Sequence, residues 1–179
     1  PPAPPPPRYE MLSEWARQGG AANFDRFFML DATDSAFQSD PFASPLISAD
    51  ALHVVHEGVP NVSASANGYF RLQATPCYGA QRVRHASDAP INGGLMSGGA
   101  WMLARVAELM VAEARRCNAY QKDQHLFYML WHLGKLKGAG IEVRLRPPRL
   151  DLLTSPTLLS PRNLRSTPPP LHPPSTSPF

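Results

Sequence analysis

Cysteine is scarce in this chain. Its 179 residues carry only Cys77 and Cys117, and neither sits in a C-x-x-C pair. Two are too few for a disulfide scaffold, and the sequence leaves them as either one bridge in an oxidising compartment or two buried thiols. Long apolar runs are missing too. No stretch approaches the roughly 18–20 residues that a spanning helix needs, so no membrane span is expected here. The chain also lacks any Lys/Arg block interleaved with aromatics. Its basic residues are scattered (Arg82, Arg84, Arg115, Arg116, Arg144, Arg146, Arg149) and its formal charge is only +3. Nucleic acid is therefore not an expected partner. There is no internal repeat, and no targeting segment is visible.

Proline is nearly absent from the middle of the chain and crowded at both ends. Six of the 21 prolines fall in residues 1–7 and ten in 147–178, with only Pro41, Pro45, Pro60, Pro76 and Pro90 between. That distribution predicts one domain over residues 8–146. It is flanked by a proline-rich tail (1–7) and a disordered Pro/Ser/Thr-rich tail (147–179).

Within 8–146, periodicity predicts a helix over 8–18, stopped by Gly19-Gly20. Phe27-Phe28-Met29-Leu30 has the pattern of a strand buried on both faces. Leu52–Glu57 reads as a second strand, closed by Gly58 and Pro60, and Gly68–Leu72 as a weaker one. Residues 91–96 form a glycine-interrupted stretch. Ser97 is then expected to cap a helix from about Gly99 to Arg116, with Trp101, Ala104, Leu109, Val111 and Ala114 on its apolar face. A further helix over 119–133 is closed by Gly134, and Ile141–Leu145 alternates as a last strand. Strands interleaved with helices predict an α/β layer structure.

The most informative segment is FFMLDATDSAFQSDPF, residues 27–42. An apolar strand that delivers Asp31 and Asp34 at its end brings together two carboxylates, which repel unless a cation lies between them. Open α/β sheets bind ligands beyond the carboxyl ends of their strands, and Mg²⁺ or Mn²⁺ prefers carboxylate and phosphate oxygens. Such an ion would bridge a diphosphate. The plainer alternative is that both aspartates cap turns. Asp40-Pro41 reads as a structural turn or helix start.

Asn92-Gly93-Gly94 lets backbone approach a ligand, and the Asn amide can donate to and accept from sugar hydroxyls; a tight turn into the next helix is the alternative. Asp123 near a helix start suits the helix dipole with or without a substrate. If it faces a pocket, it is a candidate base toward an acceptor hydroxyl. His125 and His132, seven apart, are read as structural, as are His53 and His56.

The run Leu30–Phe42, with D-x-x-D followed by Q-x-D-P-F, resembles the metal-binding segment of GT-A-type nucleotide-diphospho-sugar glycosyltransferases. Pro90–Gly98 resembles the family's N-x-G stretch, and Asp123-Gln124 the D-Q pair that opens its later helix. The three matches fall in order over residues 24–146. The resemblance implies a GT-A, Rossmann-like mixed sheet with flanking helices and Mn²⁺ (or Mg²⁺) on Asp31 and Asp34. It implies donor-sugar and acceptor binding by Asn92, Gly93, Gly94 and Gln124, and a catalytic part for Asp123. It also implies a nucleotide-sugar donor, a glycan or other hydroxyl acceptor, and a Golgi or secretory-pathway setting.

Only 23 residues precede Phe24. A complete domain of that kind places base- and ribose-binding strands there, so an incomplete domain is expected. Two competing readings stand beside it. One is a catalytically inactive remnant whose proline tails dock on proline-binding domains. The other is an aspartyl-nucleophile phosphatase, which would need a second Asp where this chain has Thr33.

Overall fold

The computed structural model describes residues 7–31, 40–43, 47–56, 66–86, 90–118 and 123–146. In chain order the elements are α1 (Pro7–Arg17), β1 (Arg26–Leu30), β2 (Leu52–His56), α2 (Gly68–Tyr78), α3 (Ala80–Arg84), β3 (Ile91–Gly99), α4 (Ala100–Cys117), α5 (Asp123–His132), α6 (Lys135–Gly138) and β4 (Val143–Arg146). The strands form one mixed sheet, ordered β1-β3-β2-β4, in which β2–β4 is the parallel pair. The chain is therefore α/β, as its pattern predicts. Among the described residues, no helix is long and apolar enough to cross a membrane.

Helix α1 opens on Pro7, whose fixed φ and missing N–H suit a first helical position. Gly19, at φ 84°, turns the chain out of it. The expectation for β1 needs correcting. It lies at the sheet edge, and of its five residues only Phe27 is buried. The central strand beside it is β3, nine residues long, which absorbs the stretch read as a glycine-rich turn. Glycine is required in it by close approach: a Cβ on Gly98 would sit 2.7 Å from the Ala51 carbonyl oxygen of the neighbouring strand segment.

Three further expectations fail for physical reasons. Gly68–Leu72 is the start of helix α2, not a strand. Asn67 caps it, its side chain accepting from the Phe70 N–H at 3.1 Å. Ser97 does not cap α4, because it is buried in β3, paired with both Phe28 and His53. Gly99 takes the cap position without a side-chain bond. The buried face of α4 is Met102, Leu103, Val106, Ala107, Met110, Glu113 and Ala114, while Trp101 is 50% exposed. That face is rotated from the expected one, because two methionines and a buried glutamate belong to it. Gly58, Pro60 and residues 119–122 lie outside the described residues.

Helix α1 packs on α4, α4 on α5, and α5 on β3, around one core that includes Tyr9, Leu52, Phe70, Met96, Met110, Phe127 and Leu136. Gly134, at φ 72°, closes α5 as expected. Three of the six histidines are packed into the fold. His53 is buried between Ser48 and Arg146, His125 packs against the Tyr69 and Phe70 rings, and His132 stacks on Tyr128.

Cys77, near the end of α2, and Cys117, the last residue of α4, form a disulfide. Beside it Arg116 stacks over Tyr78 and bonds the Glu113 carboxylate at 2.7 Å. Lys135 of α6 bonds the same carboxylate at 2.8 Å, and Glu113 is only 4% exposed. A buried charge of this kind persists only when paired.

Burial alone would raise the Glu113 carboxyl, but the hydrogen bonds from Arg116 and Lys135 outweigh it and hold the group at about 2. A carboxyl depressed in the fold stabilises above its unfolded pKa of 4.5. That contribution disappears as pH falls from there toward 2. Both partners are partly solvated, which trims the effect to on the order of 2 kcal/mol. In urea titrations, Glu113→Gln should be less stable than the parent by that amount near neutrality. The gap should close between about pH 5 and pH 2.5. Parallel pH profiles would show that the ion cluster contributes nothing.

Candidate functional site

Three patches far apart in sequence meet at one end of the β1–β3 pair. The last rung of that ladder is Leu30↔Leu95. One step on, Asp31 leaves the strand and faces Gly94. A Cβ on Gly94 would fall inside the Asp31 carboxylate and 3.3 Å from Asn92 Oδ1. Only glycine leaves room there for the acid. Asn92 Oδ1 accepts from the Gly94 N–H at 2.8 Å, which fixes the strand backbone beneath Asp31.

Gly93 serves the neighbouring contact. A Cβ there would lie 2.8 Å from the Gln124 Cβ, so its absence lets the start of α5 rest on the strand. Gln124 then donates its side-chain N–H to the Ile91 carbonyl at 2.8 Å. Its amide thus clamps α5 to β3, a job that sequence reasoning did not give it. Asp123 is the first residue of α5, inside the span where a helix from about 119 was expected, and its Oδ1 accepts from the Gln124 N–H at 2.8 Å.

The residue that sequence reasoning missed is Arg8. From the first turn of α1, its Nε lies 2.8 Å from Asp123 Oδ2 and an Nη lies 3.4 Å from Asp31 Oδ1. One guanidinium thus bridges two carboxylates that are 92 positions apart in the chain. Next to it, Tyr9 is fully buried and its hydroxyl has no hydrogen-bond partner among the described residues. Burial, followed by the negative charge of Asp123, pushes that phenol well above its ordinary pKa. The sequence signal for Arg8 was slight: a lone arginine opening the expected helix, straight after the proline tail.

Asp31 keeps its side chain 55% exposed, so its carboxylate is open to solvent on the side away from Gly94. A carboxylate open to solvent at a strand end is one oxygen donor of the kind a hard divalent cation takes. Asp34, the other expected ligand, lies outside the described residues. Among the described residues, no three His, Cys, Asp or Glu side chains cluster as a metal site. The turn expected at Asp40-Pro41 is present: Asp40 Oδ1 accepts from the Phe42 N–H at 2.8 Å over the short 3-10 turn Pro41–Ala43.

No protein-family model matches this chain, and no curated protein matches it.

Proposed function

We propose that the chain is a divalent-metal-dependent glycosyltransferase of GT-A type, transferring a sugar from a nucleotide diphosphate to a hydroxyl acceptor. The observation that carries this reading is the convergence of Asp31, Asn92-Gly93-Gly94 and Asp123-Gln124 on one strand end. These patches are widely spaced in the chain and are brought together by the β1–β3 register and the packing of α5 on β3.

In this reading Asp31, with Asp34, would hold Mn²⁺ or Mg²⁺, and the ion would supply positive charge to offset that building on the diphosphate leaving group. Asn92 and the backbone at Gly93 and Gly94 shape the floor on which the sugar rests. The bond from the anomeric carbon to the diphosphate oxygen breaks, and one to the acceptor oxygen forms. In this reading Asp123, 16% exposed, is the candidate base toward the acceptor hydroxyl, each of its oxygens keeping a lone pair beyond the bonds to Arg8 and the Gln124 N–H. The Cys77–Cys117 disulfide supports an oxidising compartment such as the Golgi or another part of the secretory pathway.

Calorimetric titration of UDP and GDP, with and without Mn²⁺, tests the donor site. Binding should require Mn²⁺ and fall by at least about tenfold in Asp31→Ala and in Asp34→Ala, as expected when a metal-bridged charge contact is lost. Nucleotide binding that ignores both Mn²⁺ and the two substitutions would end the proposal.

A further inference from the structure

We propose that Arg8 is a built-in counter-ion that gates the carboxylate site: pivoting on Asp123, its guanidinium closes over Asp31 and competes with the divalent cation. This rests on the reading of Asp31 as a cation ligand.

The two halves of the Arg8 bridge differ. Toward Asp123 it is short, 2.8 Å, and that carboxylate is largely shielded, with 16% of its side chain exposed. Toward Asp31 it is long, 3.4 Å, and that side chain is 55% exposed. The first contact is the anchor and the second the movable one, since exposed ion pairs contribute only about 0–1 kcal/mol. A dication offers Asp31 twice the charge of an arginine and can displace it at low cost.

The backbone beneath does not have to move. Tyr9 is fully buried one residue on, and Arg115 of α4 pairs with Glu10 at 3.4 Å, so α1 stays seated. The moving part is the Arg8 side chain, 41% exposed and free to swing outward while it stays near Asp123. With the arginine withdrawn from Asp31, that carboxylate is released for the metal. In the closed arrangement, the repulsion between Asp31 and Asp123 is already offset by the guanidinium that bridges them.

The test is Mn²⁺ titration of the full chain, with free Mn²⁺ read by its electron paramagnetic resonance, for the parent, Arg8→Gln, Arg8→Lys and Asp31→Ala. Circular dichroism checks that each variant is folded. Arg8→Gln should bind Mn²⁺ up to about fivefold more tightly, the ratio that losing a competing exposed contact of this kind allows. Arg8→Lys, which keeps the charge, should stay close to the parent, and Asp31→Ala should lose the site. Equal affinity in the parent and Arg8→Gln overturns the gate and leaves the cation site standing. Tighter binding in Arg8→Lys as well overturns it, because charge would then not be the cause. Weaker binding in Arg8→Gln also overturns it, since Arg8 would then support the site. No Mn²⁺ bound by the parent or by Arg8→Gln defeats both the gate and the cation-site reading beneath it.

Discussion

Reducing the Cys77–Cys117 disulfide should cost the chain about 4 kcal/mol of unfolding free energy. The bond closes a loop with a sequence separation of 40. Releasing that constraint restores conformational freedom to the unfolded chain in proportion to the logarithm of loop length, which gives this figure at room temperature. For a domain of this size, the midpoint of thermal unfolding should fall by roughly 10–20 °C. The bond also holds the end of α2 against the last turn of α4. There Arg116 reaches the Cys77 sulfur at 3.1 Å and the Glu113 carboxylate at 2.7 Å. Reduction and Glu113→Gln share that guanidinium, so their effects should fall short of additive. Thermal unfolding with and without reductant, and of the Cys77→Ser/Cys117→Ser double variant, measures this directly. A midpoint that does not move once thiol titration shows full reduction would remove the bond from the account of stability.

Alanine at Gly93 and at Gly94 should have opposite consequences, although the two residues are adjacent. At Gly93 the added methyl meets the Gln124 Cβ at 2.8 Å and its Cα at 3.1 Å. Neither atom can turn aside, so α5 must ride up off β3. Overpacking of that kind costs about 2–3 kcal/mol and loosens the Gln124 bond to Ile91. At Gly94 the methyl meets the carboxylate of half-exposed Asp31. That group can rotate into solvent, so stability should change by less than about 1 kcal/mol while Asp31 is pushed from its place. Mn²⁺-dependent nucleotide binding should then drop at least tenfold in a fold of near-parental stability. Denaturant unfolding paired with calorimetry separates the two outcomes. Gly94→Ala with full binding would mean that Asp31 does not bind from its place beside Gly94.

Part of this arrangement was legible in the residues. The α/β class, α1, the strand leading to Asp31, β2, the existence of α5 and the closing turn at Gly134 follow from local pattern, and local pattern decided them. The strand β3 was not legible, because Asn92-Gly93-Gly94 has turn chemistry. Its glycines answer to Asp31, Gln124 and Ala51, all distant in sequence. The Gly68 helix was hidden by Pro76 within it and by an aromatic pair that suits a strand. The buried face of α4 was misjudged because Glu113 looks like a surface residue until Lys135 and Arg116 are placed beside it. Arg8 shows the same limit at the site. Its role depends on two carboxylates that only the folded chain brings within reach.

The sheet order also sets how the chain must reach this fold. Every strand pairs with a partner remote in sequence: Arg26 with Gly99, His53 with Ser97, Leu52 with Val143. None of these pairs is a hairpin that could form early by itself. Loop-closure entropy must be overcome before any rung of the ladder offsets it, which places folding toward the slow end for a domain of this length. Until β3 inserts between β1 and β2, their backbone edges are unsatisfied and open to other chains. The glycine-rich strand that forms the floor of the proposed site is thus also the piece whose arrival closes the sheet.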